Sequence, residues 1–245
     1  MIIPNLVANS NTMKAILSIL LLAFSLNSCI LGVSGNGAVK EESRPITAVS
    51  KIEASGMVEI TLTQGATGLK VIADENLHEL IETVVQGDRL IISTSKNIRQ
   101  AEKLEIQISS PEFESIELAG AVSIRSEGTL KGDDLKLETS GAAEVRLGLD
   151  YDDLRSEHSG ASEVELNGRV HSVRISSSGA CDLKLFDLDV HNMRLNLSGA
   201  TDARVNVSRE LSVEASGASQ IRYRGNPKIT KTDLSGASSI NPENN

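Results

Sequence analysis

Residues 135–147 read LKLETSGAAEVRL, and the same phrase returns as LRSEHSGASEVEL at 154–166 and VRISSSGACDLKL at 173–185. It continues as MRLNLSGATDARV at 193–205, LSVEASGASQIRY at 211–223 and ITKTDLSGASSI at 229–240. A degenerate earlier copy, IELAGAVSI, occupies 116–124. The glycines at the centre are Gly120, Gly141, Gly160, Gly179, Gly199, Gly217 and Gly236, a near-constant period along the chain. Self-similarity of this kind is the signature of a repeat architecture.

Within each copy the period is two. Leu135, Leu137, Thr139, Gly141, Ala143, Val145 and Leu147 share one parity, as do Leu154, Ser156, His158, Gly160, Ser162, Val164 and Leu166. Large aliphatic residues fall at both ends and small ones in the middle. Alternation of this kind describes strands with one buried face, and no 3.6-residue period competes with it. Each copy therefore reads as two short strands joined through a small-residue corner at Ser-Gly-Ala. A meander of hairpins would need turn signals at half this spacing. The expected fold is all-β: a right-handed parallel β-helix (β-solenoid) of about seven coils over 111–245. With about 4.8 Å per coil the rod would be roughly 34 Å long. The glycine is expected where the backbone lies too close to the coil axis for a Cβ, or where φ is positive.

Residues 48–110 are expected to cap the first coil. Ile52, Ala54, Gly56, Val58, Ile60 and Leu62 alternate as a strand, and Leu90 with Ile92, then Leu104, Ile106 and Ile108, give two more. ENLHELIETVVQG (75–87), with Leu77, Leu80, Ile81 and Val84 at helical spacing, predicts a short helix ended by Gly87. At the other end, the polar Asn241-Pro242-Glu243-Asn244-Asn245 discourages end-to-end pairing.

The N-terminus reads as an address. Lys14 precedes an apolar run from Ala15 to Leu26, short for a membrane span but fitting an export signal. Leu26-Asn27-Ser28-Cys29 looks like a lipobox, which implies cleavage before Cys29 and lipidation of its thiol. The expected division is a signal peptide over 1–28, with Met13 as the true start, and a lipid-anchored linker over 29–47. The expected location is the outer membrane, anchored through Cys29. Removing residues 1–28 takes away one charged residue, Lys14, and shifts the formal charge of −9 to −10.

That acidity, without a Lys/Arg cluster along the chain, argues against a nucleic-acid binder. With no Trp and only Phe24, Phe113, Phe186, Tyr151 and Tyr223 as aromatics, the core must be built from Leu, Ile, Val and Ala.

The SGA-x-[DE] repeats, together with KIEASGMVEITLTQG (51–65) and LEIQISSPEFESIELAGA (104–121), resemble the putative auto-transporter adhesin, head GIN domain family. The resemblance covers about 48–240 as one domain. It implies a parallel β-helix on a small envelope lipoprotein, and it brings no agreed catalytic residues to carry over.

Stacked repeats would place like residues in outward ladders. One is Glu144, Glu163, Asp182 and Asp202; beside it runs Arg146, Lys184, Arg204 and Arg222, interrupted by Glu165. They form a candidate binding strip for a cation or a charged glycan, or else a solvated face of weak ion pairs. No calcium-loop motif accompanies them, and no cofactor is expected. Polysaccharide cleavage would need paired carboxylates, and Asp152-Asp153 with His158 nearby is the tempting set, yet neighbours on a strand point to opposite faces. His158 falls on the inward parity and reads as a satisfied interior histidine. Cys181 fills a slot taken elsewhere by Ala143, Ser162, Thr201, Ser219 and Ser238, and reads as a small buried filler. The leading expectation is a non-catalytic envelope module that binds a glycan or an envelope protein. The alternatives are a polysaccharide-active enzyme and a periplasmic docking or signalling module.

Overall fold

The computed structural model describes residues 32–243. The export signal and Cys29 lie outside them. The chain is all-β. Its strands are β1 (Val33–Ser34), β2 (Val39–Arg44), β3 (Lys51–Gln64), β4 (Gly68–Asp74), β5 (Ile81–Gln86), β6 (Arg89–Thr94), β7 (Ile98–Gln100), β8 (Leu104–Ser110), β9 (Ser115–Ala215), β10 (Gln220–Arg224), β11 (Lys228–Leu234) and β12 (Ser239–Pro242). A short 3₁₀ turn, Glu75–Leu80, is the one helical element among the described residues. The strands form one large mixed sheet, and β1 and β7 a small separate one.

The repeats lie in parallel, rung on rung. Ile221 of β10 sits beside Ala203 of β9 on one side and Ile240 of β12 on the other, its equivalents in the preceding and following copies. β11 pairs with β9 in the same sense, Leu234 beside Ala215. The amide of Ala218 donates to Gly199 O at 2.8 Å, and that of Ala237 to Gly217 O at 2.7 Å. The alternation read from the sequence holds: Leu135, Leu137, Val145, Leu147, Leu154, Val164, Leu166, Leu183 and Leu185 are buried in one continuous apolar core. Each such side chain contributes roughly 1.5–3 kcal/mol by leaving water.

The stack begins earlier than the sequence reading placed it. Lys51–Thr63 of β3 pairs in parallel with Ser115–Glu127 of β9, so that Gly56 lies beside Gly120 although they are far apart in the chain. The phrase IEASGMVEI (52–60) is thus a first rung, and residues 65–114 are an excursion between it and the second. The excursion covers the outer edge of that rung. β6 pairs with Lys51–Ala54, and β8 with Glu59–Gln64, both in parallel. The far edge of the last rung carries Lys228, Lys231 and Pro242, residues that discourage further strand pairing.

Two further expectations need correction. The helix predicted over 75–87 is a 3₁₀ turn for its first half only; Ile81–Gln86 then forms an antiparallel hairpin with Arg89–Thr94. Gly87 is the tight-turn residue at φ +65°, not a helix end. Leu77 and Ile81 are buried but Val84 is exposed, because Ile81-Glu82-Thr83-Val84-Val85 follows the strand period. The linker expected to 47 is also partly ordered into the sheet. Val39–Arg44 pairs antiparallel with β4, and Glu41 faces Lys70 at 3.0 Å.

Candidate functional site

Ser-Gly-Ala forms an exposed ridge down one edge of the stack. The glycines explain its tightness. Their φ values run from +71° at Gly236 to +128° at Gly179. A Cβ on Gly160 would lie 2.4 Å from the carbonyl oxygen of Gly141, and one on Gly179 would lie 2.3 Å from that of Gly160. The crowding is therefore along the stack, between neighbouring backbones, rather than toward the coil axis as expected. All seven predicted corner glycines show it, and Gly56 adds an eighth beneath Gly120.

Residues two positions either side of the glycine point inward. His158 is 4% exposed; its Nδ1 lies 2.9 Å from Thr139 Oγ1 and its Nε2 2.7 Å from Ser156 Oγ. Thr139 Oγ1 also meets Ser162 Oγ at 2.9 Å. Both ring nitrogens are satisfied, and burial pushes the imidazole pKa down to about 4, so it is neutral near pH 7. Cys181 is buried too, and burial raises its thiol to about 11. A thiol held protonated in this way is a poor nucleophile. Asp153 turns to Arg174 at 3.6 Å, while His158 points into the core. The tempting Asp152-Asp153-His158 set is not brought together.

A groove runs along each side of the ridge. The downstream one, about 830 Å³, is floored by alanines such as Ala142, Ala161 and Ala180 and walled by Glu144, Glu163, Asp182 and Asp202. This is the acidic ladder read from the sequence, and its basic companion pairs with most of it, leaving one carboxylate oxygen each of Asp182 and Asp202 without a hydrogen bond. Arg146 pairs with Glu144 and reaches Glu165 at 3.5 Å; Lys184 meets Glu163 at 2.6 Å. Arg204 and Arg222 both meet Asp202, at 3.3 and 3.4 Å.

The upstream groove, about 900 Å³, is the feature that sequence reasoning missed. It runs from Glu53 to Asp233. Three residues before each glycine stand Glu53, Glu117, Glu138, Glu157, Ser176, Asn196, Glu214 and Asp233; one residue before stand serines at every rung but that of Ala119. Two further back lies a basic column: Lys51, Lys136, Arg155, Arg174, Arg194 and Lys231. The signal was present at fixed offsets, as on the downstream side. Here too the columns pair: Lys136 with Glu138 at 2.9 Å, Arg155 with Glu157 at 2.6 Å, Lys231 with Glu214 at 2.9 Å. Arg89 of the excursion bridges Glu53 and Glu117 at 3.1 and 3.2 Å.

Glu105 is a separate buried charge on β8 of the excursion, beside the first rung. It accepts from Thr61 at 2.8 Å, Arg125 at 3.1 Å and Lys103 at 3.0 Å. Burial alone would raise its pKa, but hydrogen bonds from Thr61, Lys103 and Gln107 outweigh it and hold the carboxyl at about 2. Such a carboxylate stays ionised and serves as a structural anchor rather than a general acid. Among the described residues, no three His, Cys, Asp or Glu side chains gather as a metal site.

The fold recurs in crystal structures of bacterial proteins. A putative adhesin from Bacteroides fragilis is 24% identical, with a TM-score of 0.78 over 86% of this chain and all of that one. A putative lipid binding protein from Parabacteroides distasonis is 21% identical, with a TM-score of 0.71 over 87% of this chain and all of that one. A putative adhesin from Parabacteroides merdae is 18% identical, with a TM-score of 0.67 over 87% of this chain and 99% of that one. No curated protein matches the chain in sequence. Residues 48–227, from just before the first rung to Pro227, match the family model described as putative auto-transporter adhesin, head GIN domain, and the chain belongs to that family.

Proposed function

We propose that this chain is a non-catalytic binding module of the bacterial cell envelope. In this reading its stack is a right-handed parallel β-solenoid, eight rungs counted from Gly56, held to the outer membrane by lipid on Cys29. The observation that carries the reading is the upstream groove. It runs along the stack and places a serine at nearly every rung beside a wall of carboxylates; the hydroxyls of Ser140, Ser159 and Ser198 donate to carbonyls of the rung before at 3.4, 3.4 and 3.2 Å and so face a ligand as acceptors. Hydroxyls repeated at about 4.8 Å intervals suit an extended, polyhydroxylated or peptide-like chain better than a compact small molecule. Membership of an adhesin-described family and the lipobox-like Leu26–Cys29 segment support an envelope location.

The test is a binding screen of residues 30–245 against bacterial and host glycans and envelope proteins, with and without Ca²⁺. A ligand displaced by bulky substitutions on the ridge, such as Ser159→Trp, supports the reading; a screen without any ligand contradicts it. The anchor is checked separately. Labelled palmitate should enter the full chain in a lipoprotein-forming host and not its Cys29→Ala variant.

A further inference from the structure

The upstream wall has one interruption. Residues 171–178 (HSVRISSS) and 191–198 (HNMRLNLS), on two successive rungs, contain no carboxylate. The preceding rung carries Asp152, Asp153 and Glu157, and the following one Glu210 and Glu214. Where sibling rungs place Glu138 or Glu157 beside their base, these place Ser176 and Asn196. Arg194 accordingly forms no ion pair within 4 Å among the described residues, although after Lys231 it helps to lower the pKa of Glu214 on the next rung, and Arg174 has only Asp153 at 3.6 Å. The register of the two rungs is pinned at both ends. The rings of His171 and His191 stack with centroids 4.9 Å apart, and a Cβ on Gly199 would lie 2.4 Å from Gly179 O. Arg174 and Arg194, each five residues before its glycine, therefore stand on neighbouring rungs on the same face.

From this juxtaposition we propose that Arg174 and Arg194 form the subsite that takes a carboxylate or sulfate group of an acidic polysaccharide, whose chain lies in the upstream groove. The inference rests on the groove being the binding surface. Two guanidiniums about one rung apart can each direct N–H donors at a single oxyanion or at two on adjacent sugars. Ser178, Asn196 and Ser198 line the groove beside them and suit the hydroxyls of the same chain. Among the described residues the window is the one break of two successive rungs in this wall of acids. On a chain of formal charge −9 it also sets where along the rod an anion docks. It is invisible to a search for Lys/Arg clusters, because Arg174 and Arg194 belong to different copies of the repeat and meet only in the fold.

The test uses Ser176→Glu/Asn196→Glu, which gives these rungs the acid that their siblings carry and so leaves the fold intact by thermal melting. Probes are polygalacturonate, chondroitin sulfate, dextran and phosphatidylglycerol vesicles. Wild-type protein should bind at least one acidic polymer, more weakly as salt rises, and not dextran; the double variant should bind it at least about tenfold more weakly. Equal binding by the variant, binding of dextran alone, or binding of the vesicles alone overturns the inference. Dextran binding that survives in the double variant overturns the subsite while leaving the groove reading in place.

Discussion

The rungs and the excursion between the first two of them solve the same problem by different means. In the stack, one small set of contacts is repeated. Glycine backbone packs on glycine backbone, aliphatic on aliphatic, and most outward charges find a partner two residues away or one rung away. In residues 65–114 each contact occurs once. Arg44 reaches in from β2 to donate to the carbonyl oxygens of Ile81 and His78 at 2.6 and 3.0 Å. Tyr151 leans back from the stack to donate to Phe113 O at 2.8 Å, where the chain rejoins it. Repetition makes one position stand for many, whereas the excursion must be specified residue by residue.

The sharpest break between the two regions is expected at glycine. Gly160 (φ +94°) and Gly87 (φ +65°) share a positive φ, but a Cβ at Gly160 would meet backbone at 2.4 Å while one at Gly87 meets nothing within 4 Å. Gly160→Val should cost more than about 4 kcal/mol and leave no cooperative melt, since two stacked backbones must part. An unchanged melting temperature would refute the stacking of corners.

Acid should separate the regions next. His158, in the stack, has a folded pKa of about 4, below the ordinary 6.5. The unfolded chain takes up the proton first, so the stability that His158 contributes is whole above pH 6.5 and is lost as pH falls toward 4. Glu105, at the excursion, has a folded pKa of about 2 against an ordinary 4.5. Its contribution is whole above pH 4.5 and is lost toward pH 2. Each step is worth up to about 3 kcal/mol. His158→Leu, borrowing Leu197 from a sibling rung, should flatten the upper window of a stability-versus-pH curve, and Glu105→Gln the lower. A curve unchanged by either variant would remove that residue from the account.

Smaller effects complete the contrast. Gly87→Ala should cost only about 1 kcal/mol, the strain of a left-handed alanine, read as a shift in denaturant midpoint. Arg146→Ala should cost under about 1 kcal/mol despite its ion pairs, because its side chain is half exposed. A larger loss there would make the ladders structural rather than available for contact.

The same contrast explains what could be read from the sequence. Leu135, Leu137, Val145 and Leu147 disclosed the strand parity because their equivalents recur in copy after copy, and the inward place of His158 and Cys181 followed from it. Gly56 does not stand out as a corner in the sequence because its partner, Gly120, lies beyond the whole excursion rather than one repeat away. The first strand of the β5–β6 hairpin reads as helix in the sequence because Leu77, Leu80, Ile81 and Val84 satisfy a helical spacing that only tertiary pairing overrules. The downstream charge columns are legible as a repeat, and so is their upstream mirror, since Lys136 and Glu138 recur as regularly as Glu144 and Arg146. What those columns do together, including the gap at Ser176 and Asn196, emerges only when rungs are laid side by side.

The stacking of rungs carries every one of these inferences, and paired cysteines test it directly. Ser159 and Ser178 occupy the same position on adjacent rungs, whereas Ser140 and Ser178 are two rungs apart. In residues 30–245, Ser159→Cys/Ser178→Cys should be bridged by dibromobimane and become fluorescent in the native state, and Ser140→Cys/Ser178→Cys should not. Equal labelling of both pairs, or bridging of only the distant one, would contradict the stack.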